Sequence, residues 1–81
     1  MSKNNEKLME VIAKVLDLEA STITDDMSPE NTDSWDSFNG LMLVSELETQ
    51  FKVHFSMEEV YLVTCVADIR KALKHHDNDF G

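Results

Sequence analysis

Glycine, proline and cysteine are nearly missing from this chain, which has two glycines, one proline and one cysteine in 81 residues. So few turn formers argue against a small sheet protein, whose strands need turn residues at short intervals. A lone thiol cannot close an internal disulfide, and the apolar runs are too short for a signal-peptide core or a membrane span. The expected setting is reducing and cytoplasmic, with no membrane insertion. Cations are scarce as well: 7 basic residues face 16 acidic ones, for a net charge of −9. That balance repels nucleic-acid backbones and anionic membranes and attracts proteins with basic patches. The expected partner is another protein, and nucleic acid is excluded.

What the chain does have is apolar residues, 42% of the total, recurring at helical spacing. With no repeat, low-complexity segment or linker, the expectation is one all-α domain over residues 1–81, its core spanning about 5–75 and a frayed tail at 76–81. Leu8, Val11, Ile12, Val15 and Leu16 mark a first helix, with Asn4 or Asn5 as its cap. The run 19–36, rich in Ser, Thr, Asp and Asn, reads as a long loop anchored by Ile23 and Met27. A second helix is expected from an Asp36 cap to Gln50 or Phe51. Asn39-Gly40 is also a hairpin signal, but a hairpin needs alternating strands, and Thr32-Asp33-Ser34 offers none. Ser56 and Glu59 make a capping box, and Phe55 and Val60 a hydrophobic staple, for a short third helix ending near Leu62. Val66, Ile69 and Leu73 mark a fourth helix, closed by Lys71, Lys74, His75 and His76. The architecture is a four-helix bundle with a long first loop and a short third helix.

Catalytic chemistry finds little support. A nucleophilic serine needs a nearby base and an oxyanion site, and Ser37 lacks the glycines that flank a nucleophile elbow. A calcium loop with Gly40 at its sixth position would begin at Trp35, which is no ligand. His75-His76-Asp77 reads as solvated surface rather than a metal site, and His54 as ordinary surface. Cys65 reads as a small residue at a helix start. No metal and no catalytic residue is expected, and the chain is not read as an enzyme. Ser37 is placed differently: at the first position of the second helix, unpaired amides and the helix dipole would stabilise a phosphate ester on its oxygen. It reads as an attachment point, the plainer alternative being an ordinary helix-start serine.

The residues Asp36-Ser37-Phe38, followed by Leu43-Val44, Leu47-Glu48 and Phe51, resemble the acyl carrier protein family, and more broadly the phosphopantetheine-dependent carriers. Phe55, Glu58, Glu59, Val63-Thr64-Cys65-Val66 and Asp68-Ile69 extend the resemblance over nearly the whole chain. It implies a phosphopantetheine arm placed on Ser37 by a phosphopantetheinyl transferase, with Asp36 near enough to help position the transferase's magnesium. The arm would then carry acyl groups as thioesters between acyl-transferring or acyl-activating enzymes with basic docking surfaces, in fatty-acid and lipid metabolism, the carrier itself being a monomer. Phe38 replaces the usual leucine, Asn39 and Met42 stand where acids are common, and Cys65 replaces a capping Ser or Thr. These departures, with Trp35 before the Asp-Ser pair, point to a specialised pathway. Trp35 otherwise serves to pin the loop onto the helices.

On a helical wheel Gly40, Leu43, Val44, Leu47 and Phe51 form the core side of the second helix. Phe38, Met42, Ser45 and Thr49 fall opposite. Phe38 and Met42 are thus candidate docking residues, with Glu46 and Glu48 as the charged rim. An aminoacyl or peptidyl carrier would use the same motif, and a helical adaptor that never uses Ser37 is the alternative from another class.

Overall fold

A computed structural model describes residues 3–76, which fold as four α-helices with no strand among them. α1 spans Lys3–Leu16, α2 Ser37–Phe51, α3 Met57–Leu62 and α4 Val66–His75, and a single 3-10 turn, Ala20–Thr22, interrupts the loop after α1. The expected helices are all present. Asn4 and Asn5 do not cap α1 but lie inside it, because the helix already runs at Lys3. Of the expected tail, residues 77–81 lie outside the described residues. His76 forms the C-cap of α4, and its Nε2 pairs with Glu59 at 2.7 Å.

Each long helix buries one stripe. Leu8, Val11, Ile12 and Leu16 of α1 meet Leu43, Leu47 and Phe51 of α2 and Val66, Ile69 and Leu73 of α4. Trp35 is the one loop residue in this core, and Ile23 and Met27 pack against its edge. The loop is therefore pinned at three points along its length. From α1, Lys7 Nζ donates to the Gln50 carbonyl at 3.2 Å and sits 5.1 Å from the centre of the Phe51 ring, meeting the negative end of the α2 dipole.

The shortage of glycine shows at the helix ends. Asp17 and Lys52, which follow α1 and α2, take φ of 56° and 55°. Glycine usually fills that left-handed position, where a side chain costs about 1–2 kcal/mol.

The start of α4 is solved by the distant loop. Cys65 is its N-cap residue but makes no side-chain cap bond. The amides of a first helical turn need acceptors. Val66 N–H donates to the Met27 carbonyl and Ala67 N–H to the Asp25 carbonyl, both at 3.0 Å. One turn later Arg70 donates to the Asp25 carboxylate and, at 3.0 Å, to Asn5 Oδ1 of α1. Asp68 accepts from the Thr64 hydroxyl at 2.6 Å and the Thr64 N–H at 3.1 Å, and these bonds hold its carboxyl below the usual range.

α3 contributes no buried residue. Polar bonds at its ends hold it instead. Ser56 Oγ accepts from Glu59 N–H at 3.2 Å while Glu59 Oε1 accepts from Ser56 N–H at 3.0 Å, the expected capping box. Glu48 of α2 accepts from Phe55 N–H at 2.8 Å.

Removing the Arg70 clasp should loosen loop and bundle together. Arg70→Ala is expected to cost about 1–2 kcal/mol, since charged hydrogen bonds are lost while Asp25 stays hydrated. Denaturant midpoints measure it, and Asp25→Asn should cost less. The capping box should also respond to acid. The Ser56 N–H, then His76, holds the Glu59 carboxyl below the ordinary glutamate value. Its stabilisation is complete above that ordinary value and disappears as pH falls through the lowered folded one. The melting-midpoint advantage of wild type over Glu59→Gln should therefore shrink on acidification through the carboxylate range and stay constant above it.

Candidate functional site

α2 opens with Asp36 as N-cap in extended backbone, φ −95° and ψ −176°. Its Oδ1 accepts from Asn39 N–H at 2.8 Å, and its carbonyl accepts from Gly40 N–H at 2.8 Å. Asn39 Nδ2 in turn donates to the Ser34 carbonyl at 2.7 Å, fixing the chain that leads in. The Asn39 amide, an orphan of the first turn, is thus taken, and the Gly40 bond opens the helical ladder; the amides of Ser37 and Phe38 have no acceptor among the described residues. Ser37 stands at the first helical position, exposed, and its hydroxyl makes no hydrogen bond to the described residues. The positive end of the helix dipole lies at the same point.

Beside Ser37 a cavity of about 350 Å³ opens between α2, α3 and α4. Its lining is mostly apolar, with the Ser37 hydroxyl and the Trp35 indole N–H as the polar side-chain groups. Trp35, Gly40 and Leu41 lie at the Ser37 end of the chain, Phe55, Val60 and Val63 come from the α3 segment, and Ile69 and Ala72 from α4. The bulk of Trp35 is buried to 5% exposure, so its ring wall is fixed by the core. A Cβ on Gly40 would sit 3.5 Å from Trp35 Nε1, an ordinary contact. The glycine is therefore not forced by packing. Its missing side chain leaves cavity space next to Ser37, at a helix cost of about 1 kcal/mol.

The predicted residues divide into two groups. Asp36, Ser37, Phe38 and Met42 come together on the first turns of α2, with Phe38 70% and Met42 47% exposed. Neither apolar side chain folds back under the loop. Glu46 and Glu48 stand further along the helix, more than about 13 Å from Ser37 at 1.5 Å per residue. Glu46 is held by Lys14 of α1 at 3.6 Å and by Gln50 Nε2 at 3.0 Å. Glu48 accepts from Phe55 N–H, and His54 approaches it at 3.4 Å. These two carboxylates serve the fold, tying α2 to α1 and to the α3 segment, and do not stand as free rim charges beside Ser37.

Leu41, 68% exposed, and the outer face of α3, with Met57, Tyr61 and Leu62 exposed, escaped the wheel. A signal for them is in the chain. Leu41-Met42-Leu43-Val44 and Val60-Tyr61-Leu62-Val63 each place four apolar residues in a row, and one helix face cannot bury all four. Cys65 is the N-cap of α4 and His54 is exposed, as expected. Among the described residues no group of three His, Cys, Asp or Glu side chains is placed to hold a metal, and Asp77 lies outside them.

A phosphate ester on Ser37 fits this geometry. The hydroxyl is accessible and unpaired, two free amides and a helix dipole favour the negative charge, and an apolar cavity starts alongside. No described helix is long and apolar enough to cross a membrane. Residues 6–73 match a family model described as a phosphopantetheine attachment site. No curated protein matches the chain.

Proposed function

The chain belongs to the phosphopantetheine attachment-site family, the carrier domains that include the acyl carrier proteins, and from that premise we propose that it carries acyl groups as thioesters on an arm attached to Ser37. When bound, phosphopantetheine supplies the thiol that holds the cargo. Ser37 supplies the ester oxygen, and the amides of Ser37 and Phe38 offset the phosphate charge. Asp36 keeps the helix start in place through Oδ1, and its carboxylate would help position the transferase's metal. Nothing in this set activates the hydroxyl, so bond making falls to partner enzymes and the chain itself is a carrier, not a catalyst.

The observation that supports the acyl reading is the cavity at Ser37, whose lining is mostly apolar and carries no charged side chain. An alkyl chain gains by leaving water there. An aminoacyl group would bring an ammonium with no partner, which is costly to bury. Exposed Phe38, Leu41 and Met42 form an apolar surface beside the attachment point, and the net charge of −9 favours partners with basic rims. The departures at Phe38 and Asn39, with Trp35 before the Asp-Ser pair, favour a specialised acyl pathway, with the carrier proposed as a cytoplasmic monomer.

Wild type and Ser37→Ala, incubated with coenzyme A and a broad-specificity transferase, test the attachment. Mass spectrometry should find the arm on Ser37 and on none of the other six serines, and Ser37→Ala should stay unmodified. An octanoyl group on the arm should raise the melting midpoint above that of the unacylated form, and a glycyl group should not. A larger gain with glycyl would favour the aminoacyl carrier. For docking, Met42→Glu should slow arm transfer by the transferase while changing stability by less than about 0.5 kcal/mol, as expected for an exposed position. Unchanged transfer kinetics would remove Met42 from the docking surface.

A further inference from the structure

A second groove, of about 390 Å³, runs along the outer side of the bundle between α3 and α4. Like the cavity at Ser37 it has a mostly apolar surface, here with charged groups around it. Asp68, Lys71 and His75 of α4 and Glu59 of α3 line it together with Leu62, so its rim is charged. Asp68, Lys71, Ala72 and His75 follow helical spacing of three and four, and thus share one face of α4. Ile69 lies off that face and lines only the inner cavity. Two residues line both spaces: Val63 and Ala72.

We infer that Val63 and Ala72 form the partition that limits how long an acyl chain the inner cavity accepts, an assignment that rests on the acyl-carrier reading. Ala72 contributes a single methyl at the border of the two faces of α4. Val63 is the C-cap residue of α3, in extended backbone, its N–H donating to the Val60 carbonyl at 3.2 Å. The barrier is therefore thin, and it depends on the least buried helix of the fold. A chain that fills the inner cavity meets these two side chains next. Each further methylene either has to displace these two side chains to reach the outer groove or stays in water, and one left in water gains nothing from burial. Volume at positions 63 and 72, rather than at the cavity mouth, sets the length.

The test uses the full chain, loaded at Ser37 by transferase with straight saturated acyl groups from butyryl to hexadecanoyl. The readout is the rise in melting midpoint over the same protein with an unacylated arm, plotted against chain length. Wild type should show a rise that stops at one length. Val63→Ala, which removes two methyl groups, should move that break to chains longer by about two carbons, and Ala72→Leu should move it to shorter ones. Val53→Ala is the control, because Val53 is half-buried against the core and lines neither space. Its break should stay with wild type. If Val63→Ala proves too unstable to load, the shortening by Ala72→Leu decides alone. Identical breaks in wild type and both partition variants would overturn the partition and leave the carrier reading standing, as would a break that Val53→Ala shifts equally. A wild type whose midpoint ignores chain length would overturn the acyl reading, and the partition with it.

Discussion

The first turn of α4 is capped by carbonyls that lie some forty residues earlier in the chain, and much of the remaining structure depends on that exchange. Met27 and Asp25 give their oxygens to Val66 and Ala67, and Arg70 returns a guanidinium to Asp25 and Asn5. An ordinary helix start would use its own N-cap side chain. Cys65 supplies none, so α4 and the long loop fix each other. With the loop held at its middle and at Trp35, the segment that delivers Asp36 and Ser37 is set against the bundle. With α4 held at its start, Ile69 and Ala72 are set as one wall of the cavity beside Ser37.

The two ends of the site are governed by different forces. At Ser37 the field is made by backbone: an extended Asp36 that takes two amides, two amides left over, and a dipole behind them. Inside the cavity apolar surface dominates. α3 closes that cavity yet buries none of its own residues. It is held by Glu48 at Phe55, by the Ser56–Glu59 box and by the Glu59–His76 contact, so its attachment is mostly electrostatic and hydrogen-bonded. Such attachments open at lower cost than a packed core, which suits the proposed entry of a cargo chain past α3.

Local patterns carried a good deal of this. The stripe Leu8, Val11, Ile12, Leu16 and the box Ser56–Glu59 are rules of short range, and both appear where the spacing predicts them. So does the Asp36 cap, because extended backbone followed by an acceptor side chain needs only three residues to form. The expected cap of α1 fails for the same short-range reason: Asn4 and Asn5 are good capping residues anywhere, but the helix already runs at Lys3, and Asn5 from inside it accepts from Arg70, sixty-five residues away. Glu46 and Glu48 look like surface charge on a wheel. Their partners Lys14 and the Phe55 amide belong to other elements, so no wheel could show that they were taken.

What the sequence determined by itself is the set of helices, the face each turns to the core, and the position of one serine at a helix start beside an acid. Periodicity, capping and charge act over a few residues and need no knowledge of the neighbours. Only the tertiary structure decided which carbonyls cap α4, that Leu41 stays outside, and that a mostly apolar space adjoins Ser37, with Val63 and Ala72 shared between it and the outer groove. Those are matters of which surfaces remain after helices pack, and a void or an exposed face is a property of the assembled set rather than of any one segment.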